Sequence, residues 1–276
     1  MLTIKAALEE AMGSIDRVDA QVIMAHLLGV NRAYLAAHPM QVLTESQDAR
    51  VDLMVAQRAL GLPVAYVIGK REFYSREFEV STDVLIPRPE TETLVETALR
   101  HPVEGRGLIN ILDLGTGSGV LAITLALELP RARLTATDSS PSALDLARTN
   151  AKALGADVEF LEGEWYAPVA NRRFDLIVSN PPYVAGGDPH LAQGDLRFEP
   201  RHALTDGSGD GLDSIRHIVE GARAHLNPGG GILIEHGYDQ APAVAALLAK
   251  AGFVDLASIQ DLAGIPRVAG GKIAGK

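Results

Sequence analysis

The chain has no cysteine at all. Disulfide scaffolds, thiolate zinc sites, iron–sulfur clusters and thiol nucleophiles are therefore excluded. The absence fits a reducing compartment, and a cytoplasmic location is the expectation. No run of about 18 apolar residues occurs, so no membrane-spanning helix is expected. Met1 to Glu10 carries one lysine and two glutamates around no long apolar segment, which does not read as a secretory signal. Cations are scarce: 25 Lys and Arg stand against 35 Asp and Glu, a net charge of −10. A protein that grips nucleic acid through its phosphates is usually basic. Direct nucleic-acid binding is not expected, and a basic partner suits this surface better. Metal signatures are missing too. The eight histidines are scattered and no His-Glu-x-x-His occurs. Asp206-Gly-Ser-Gly-Asp-Gly211 begins like a calcium loop, but His217 stands where the pattern needs Glu. It reads instead as a turn into the next helix, and no metal is expected.

What is present is ordinary for a globular chain. Apolar residues make up 47% and charged residues 22%, which argues against general disorder. The 27 glycines and 15 prolines follow no triplet period, which excludes a collagen-like rod. A length of 276 residues predicts one large domain, or one large and one small.

Residues 1–63 read as helices. Leu2, Ile4, Ala7, Leu8 and Met12 fall near helical spacing, and Val18 to Leu28 continues it up to the stop signal Gly29. Val51 to Leu60 marks another helix, ended by Gly61 and Pro63. Residues 64–85 change character. Tyr66, Ile68, Phe73, Phe78 and Val80 around Gly69 suggest a hairpin or short strands serving as a linker. Residues 86–276 form the third segment. Glu90 to Arg100 reads as a helix, and from Leu108 onward strands alternate with helices. That alternation predicts an α/β fold with a mostly parallel sheet covered on both faces.

The strongest local signal for a ligand is Ile111-Leu-Asp-Leu-Gly-Thr-Gly-Ser-Gly119. It places Gly115, Gly117 and Gly119 between a strand and a helix. Glycine permits a tight turn and close approach of a ligand to the backbone. Ligands bind at the carboxyl ends of such strands. The spacing is G-x-G-x-G, and Asp113 before it would repel a pyrophosphate. The same carboxylate would attract the ammonium of S-adenosylmethionine, which has no phosphate. Asp138 lies 19 residues past Gly119, at the end of the next strand, where a carboxylate can accept from both ribose hydroxyls. These features favour S-adenosylmethionine over a dinucleotide. The plainer alternative is a structural turn.

A second motif is more specific. The apolar strand Phe174–Ser179 runs into Asn180-Pro181-Pro182-Tyr183. Two prolines fix φ and supply no N–H donors. The turn therefore presents carbonyl oxygens beside the Asn180 amide, which suits a flat –NH₂ group. Tyr183 offers a ring face to such a group. An amide nitrogen is a poor nucleophile because its lone pair is delocalised. Asn180 Oδ1 and the Pro181 carbonyl can take its two hydrogens and turn the lone pair toward a methyl donor. Positioning and preorganised dipoles then do most of the catalysis. The competing reading is a rigid strand-exit turn.

At these residues the chain resembles the HemK/PrmC class of S-adenosylmethionine-dependent methyltransferases. That class methylates the glutamine of the Gly-Gly-Gln motif in class I peptide release factors. The resemblance rests on Leu85-Ile-Pro-Arg-Pro-Glu-Thr-Glu92, Asp113–Gly119, Asp138-Ser139, Ser179–Tyr183, Phe198-Glu-Pro200 with Ala203-Leu204, and Asp210-Gly-Leu-Asp213. It implies a Rossmann-like methyltransferase domain over 86–276, a helical substrate-docking domain over 1–63 and a hairpin linker over 64–85. It implies that Gly115, Thr116, Gly117, Ser118, Gly119 and Asp138 bind S-adenosylmethionine, with S-adenosylhomocysteine as product. Trp165 would lie beside the adenine, against a plainer reading as a core residue. Asn180, Pro181, Pro182 and Tyr183 would hold the glutamine amide, with Asn180 also near the cofactor and Asn180, Pro181 and Tyr183 carrying the catalysis. Pro87 to Glu90 would line the same cleft. Class I release factors would be the partners of a monomeric, cytoplasmic enzyme. Asp261–Arg267 departs from the class, with Ile265-Pro266 where it usually has more polar residues.

Other functions share parts of this pattern. A glutamine of a ribosomal protein would suit the same turn. An adenine amino group is also a flat –NH₂, although such an enzyme must hold displaced strands as well. A non-enzymatic module that binds S-adenosylmethionine should have lost part of the Asn180 turn, which is intact. Arg71, Arg76 and Arg88 could meet a partner, or could be solvated or paired with acids.

Overall fold

Local caps account for the first helices. Thr3, Asp16 and Asn31 each accept a backbone N–H at the start of α1 (Ile4–Ala11), α2 (Arg17–Leu28) and α3 (Arg32–Ala37). Thr44 and Gln47 form a reciprocal capping box on α4 (Glu45–Ala59). Gly29 ends α2 in the left-handed region, as its position after the apolar run implies. In this computed structural model, which describes residues 2–101 and 108–275, the chain divides into two compact units. The first is Met1–Lys70 with Ala192–Phe198, and the second is Arg71–Leu191 with Glu199–Lys276. Among the described residues no helix is long and apolar enough to cross a membrane.

The first unit closes over Ile4, Ala7, Met24, Leu35, Leu43 and Val51. Its returning segment is tied by Arg58, which pairs with Asp19 at 2.6 Å and with Asp195 at 3.1 Å. One expectation fails here. Tyr66 and Ile68 are not in a strand; Val64–Ile68 is a short helix, α5. Pro63 leads into it and Gly69, at φ +73°, ends it, so the flanking turn chemistry outweighs the β-propensity of Val, Tyr and Ile. The hairpin follows as β1 (Lys70–Phe73) and β2 (Arg76–Glu79).

The second unit alternates strand and helix. Its elements are α6 (Thr91–Arg100), β3 (Ile109–Leu114), α7 (Val120–Glu128), β4 (Ala132–Asp138), α8 (Pro141–Leu154), β5 (Val158–Glu162), β6 (Phe174–Ser179), α9 (Arg201–Leu204), α10 (Asp213–Ala222), β7 (Leu226–Glu235), α11 (Ala241–Lys250), β8 (Val254–Gln260) and β9 (Pro266–Lys272). The sheet runs β5-β4-β3-β6-β7-β9-β8. β3 to β7 are parallel, and β9 and β8 close the far edge antiparallel.

Alternate residues of the central strands feed two cores. Leu112, Leu114, Ile177 and Ile232 join Ile215 and Ile218 of α10 and Val244 and Leu248 of α11. Ile111, Leu176, Val178 and Leu233 join Leu94 and Val95 of α6 and Leu121, Ile123 and Leu125 of α7. Phe73 and Phe78 of the hairpin enter this second core, edge to face at 6.2 Å. Burying each phenyl ring contributes about 1.5–3 kcal/mol, which fixes the hairpin to the sheet. Every residue of β6 is buried, as a central parallel strand requires.

Candidate active site

The sheet order reverses between β3 and β6, because the chain builds outward through β4 and β5 and then returns beside β3. Such a switch point leaves a crevice beyond the strand ends. Gly115 leaves β3 and Asn180 leaves β6 at that crevice. Leu114 and Ser179 are partners in register, and Ser179 Oγ donates to the Leu114 carbonyl at 2.7 Å.

The glycine turn is built from backbone conformations that side chains resist. Gly115, Gly117 and Gly119 have φ of +72°, +55° and +84°. The N–H groups of Gly115 and Thr116 donate to the Thr137 carbonyl. Gly117 N–H donates to Asp138 Oδ2 at 2.8 Å, and Ser140 N–H donates to Oδ1 at 2.9 Å. Asp138 therefore holds the turn in shape. Asn150, buried in α8, adds a second tie. Its Nδ2 donates to the carbonyls of Ser118 and Glu79, and its Oδ1 accepts from Glu79 N–H.

Asp113 is 1% exposed and accepts from Thr116 Oγ1 at 2.6 Å. Burial pushes its carboxyl up to about 7; the Thr116 bond opposes that shift and the Asp138 charge adds to it. Trp165 has φ +44°, uncommon for a bulky residue, and Thr137 Oγ1 donates to its carbonyl at 3.1 Å.

The Asn180 turn is anchored from behind. Asn180 Nδ2 donates to Thr91 Oγ1 at 3.0 Å. Tyr183 OH donates to Glu235 Oε1 at 3.2 Å, and Gln240 Nε2 donates to the carbonyls of Tyr183 and Asp210 at 2.9 Å. Burial pushes the Tyr183 phenol upward, and the Glu235 charge adds to that shift. Arg88 pairs with the buried Glu199, which also accepts from Ile86 N–H at 3.0 Å. Arg76 pairs with Glu128 at 2.5 Å, so both of these arginines are acid-paired.

One cleft brings most of the expected residues together. Gly115, Thr116, Gly117, Ser118, Asp138, Trp165, Asn180 and Pro182 line it, as do Asp113, Pro87 and Arg88. Gly119, Pro181 and Tyr183 are not part of its wall. Gly119 is a spacer: a Cβ there would lie 2.7 Å from Ile123 Cδ1 and 3.1 Å from Ala147 Cβ. Pro181 is buried. The Tyr183 ring packs on the core of α10 and α11, with its hydroxyl on Glu235. Thr91 and Ser139, which the sequence carries only within the quoted segments, also line the cleft, as do Ala143 and His202, which no sequence signal marks. Pro89 and Glu90 do not line it. The Asp206–Gly211 turn closes on itself, with Asp206 accepting from Ser208 and Ser214 and Asp210 pairing with Arg216. Among the described residues no cluster of His, Asp or Glu is arranged to hold a metal.

A doubly wound sheet with a glycine turn, strand-end carboxylates and an Asn-Pro-Pro-Tyr turn at its switch point defines a Rossmann-type methyltransferase. The comparisons agree. The family described as Methyltransferase small domain matches residues 91–250, and that described as PrmC N-terminal domain matches residues 3–69. A release factor glutamine methyltransferase of Burkholderia pseudomallei is 50% identical over 268 residues, covering 95% of this chain and 93% of that one. One from Xylella fastidiosa is 50% identical over 274 residues, covering 98% of each chain. A methyltransferase structure from Pyrococcus furiosus shares the fold at a TM-score of 0.56 and 19% identity, over 84% of this chain and all of that one. The chain belongs to the release factor glutamine methyltransferase family.

Proposed function

We propose that the chain transfers a methyl group from S-adenosylmethionine to the side-chain amide nitrogen of the glutamine in the Gly-Gly-Gln motif of class I peptide chain release factors. The observation that carries this reading is the meeting of the glycine turn and the Asn180 turn in one cleft. The cofactor, when bound, supplies an electrophilic methyl group on a cationic sulfur and leaves as S-adenosylhomocysteine.

The residues fit that cofactor. Asp113 is a buried carboxylate in the cleft wall, suited to an ammonium group. Each oxygen of Asp138 accepts one backbone N–H, which leaves lone pairs for ribose hydroxyls. Trp165 supplies a flat wall for adenine, and Gly115 to Ser118 let the ligand approach the backbone.

Asn180 and Pro181 prepare the nucleophile. With Asn180 Nδ2 engaged by Thr91, its Oδ1 is the atom left to accept from a substrate –NH₂. The second hydrogen is assigned to the Pro181 carbonyl, which the substrate amide has to reach beside Asn180 because Pro181 itself does not line the cleft. Both acceptors strengthen as the nitrogen gains positive charge, so they favour the transition state over the ground state. No strong base is needed beforehand, because the N–H becomes acidic during transfer. Pro182 and Tyr183 fix the turn. The helices of residues 1–63 serve the protein substrate, with residues 64–85 as linker to the catalytic domain of 86–276. The enzyme acts as a cytoplasmic monomer and needs no nucleic acid.

The test is methyl transfer from labelled S-adenosylmethionine to class I release factor, a ribosomal-protein fraction and adenine-containing DNA in parallel. Label on the release factor, lost when its Gly-Gly-Gln glutamine is replaced, supports the proposal. Label only on ribosomal protein or on DNA contradicts it.

A further inference from the structure

Glu235 is the last residue of β7 and is fully buried. Ile234 pairs with Ser179, so Glu235 and Asn180 leave adjacent parallel strands at the same level. One carboxylate oxygen, Oε1, accepts from Tyr183 OH. The other, Oε2, is buried without a hydrogen-bond partner among the described residues. The Thr91 hydroxyl stands beside this carboxylate and favours its charged form, while the same Thr91 oxygen accepts from Asn180 Nδ2. A buried, half-satisfied carboxylate is destabilising, so its place directly behind the acceptor turn calls for a functional reason.

We propose that Glu235 is a positioning residue that sets the hydrogen-bond polarity of the acceptor turn: its carboxylate draws the Thr91 hydroxyl proton, Thr91 accepts from Asn180 Nδ2, and Asn180 Oδ1 is left facing the substrate amide. This rests on the methyl-transfer reading above. An ionised carboxylate can only accept, and a threonine hydroxyl has a single proton. Once that proton points at Glu235, Thr91 offers Asn180 lone pairs alone. A neutral Glu235 removes the constraint. It can donate to Thr91, which then donates to Asn180 Oδ1, and the amide turns over. Nδ2 would then face the cleft and oppose the substrate's own N–H groups.

The surroundings put this exchange in a usable range. Burial raises the Glu235 carboxyl to about 7; the nearby Thr91 hydroxyl and the Tyr183 bond oppose the shift, Glu90 adds to it and Arg267 opposes it. His236, next in the chain, turns Nδ1 to the Gly237 carbonyl at 2.8 Å. A group raised in this way is neutral below about 7, so turnover should rise as pH passes through that value.

The experiment measures kcat against pH for the full chain with release factor, at saturating S-adenosylmethionine so that Asp113 does not contribute. The wild type should show an acid limb. Glu235→Gln should lower kcat at least about tenfold on the plateau above about 7 and converge with the wild type well below it, where Glu235 is already neutral. It should abolish the acid limb and leave S-adenosylmethionine affinity and Tm intact. Thr91→Val should behave alike, and the double variant should be no worse than either single one. Glu235→Asp keeps the charge and should keep the limb, which guards against misfolding of the glutamine variant. A Glu235→Gln enzyme with wild-type kcat on that plateau, or with the acid limb retained, overturns the proposal. So do additive effects of the two single variants. A wild type inactive on the release factor glutamine would instead overturn the function, and that is seen before any variant is compared.

Discussion

A primary amide is held flat by resonance, and two acceptors on one side of it are what free its nitrogen lone pair. In the proposed mechanism Asn180 Oδ1 is one of them, and the bond from Asn180 Nδ2 to Thr91 orients it. Asn180→Ala should therefore lower turnover about 10²–10³-fold, the usual effect of removing one preorganised polar group. Circular dichroism should show an unchanged fold, and unchanged turnover would remove Asn180 from the mechanism. Asp113 is the proposed partner of the cofactor's ammonium. Its carboxyl is pushed up to about 7, so it is neutral below that value and cannot pair with a cation. Affinity for S-adenosylmethionine should rise as pH passes through about 7 and level off above it, by calorimetry; Asp113→Asn should flatten the dependence. The sign for stability is the reverse. A carboxyl raised in the fold stabilises it at low pH, and that contribution is lost as pH climbs from the ordinary carboxylate range to about 7. Asp113, Asp138 and Asn180 were legible in the sequence because each stands where a strand meets a turn. Glu235 was not, and Thr91 stood in the sequence only as part of Leu85–Glu92 with no role of its own, because what they do depends on which strands become neighbours. The one signal was a charged residue ending the apolar run Ile232-Leu-Ile-Glu235.

At the level of elements, the acceptor turn is held by a second loop. Gly211 has φ +67°, and a Cβ there would lie 2.2 Å from the Tyr183 carbonyl oxygen. Gly211→Ala should push the Asn180–Tyr183 turn aside and lower kcat about a hundredfold. S-adenosylmethionine affinity should hold, because Gly211 does not line the cleft. Parallel losses in kcat and cofactor affinity would contradict that division. Periodicity and punctuation located elements closely: Phe174–Ser179 carries the bounds that the sequence suggests, and the helix expected over Glu90 to Arg100 runs Thr91–Arg100. The short helix Val64–Ile68 escaped, since four β-favouring residues around Ala65 give no helical period. The hairpin tip escaped as well. Tyr74 and Ser75 adopt φ of +50° and +59° without the glycine or asparagine that usually marks such a turn. Tyr74 N–H is held there by Glu92 Oε1 at 2.9 Å.

For the whole molecule, a distant segment completes the first compact unit. Ala192–Phe198 returns to Met1–Lys70, and Arg58 links Asp195 to Asp19. Sequence periodicity carries no trace of such a return, because it joins residues 137 apart. Arg58→Met should destabilise that unit by about 1–2 kcal/mol, given the partial exposure of the pairs. Limited proteolysis after Arg197 should quicken; an unchanged cleavage rate would show that the tie is dispensable. The net charge of −10 was legible from composition alone, and it bears on which substrates this surface can approach. The central claim is that the cleft takes a glutamine side-chain amide. The most direct measurement is fragment-resolved mass spectrometry of full-length class I release factor after incubation with the enzyme and S-adenosylmethionine. The account predicts a single added methyl on the side-chain nitrogen of the Gly-Gly-Gln glutamine, absent with the Asn180→Ala enzyme. A methyl on another residue, or none where the enzyme demonstrably binds S-adenosylmethionine, would contradict it.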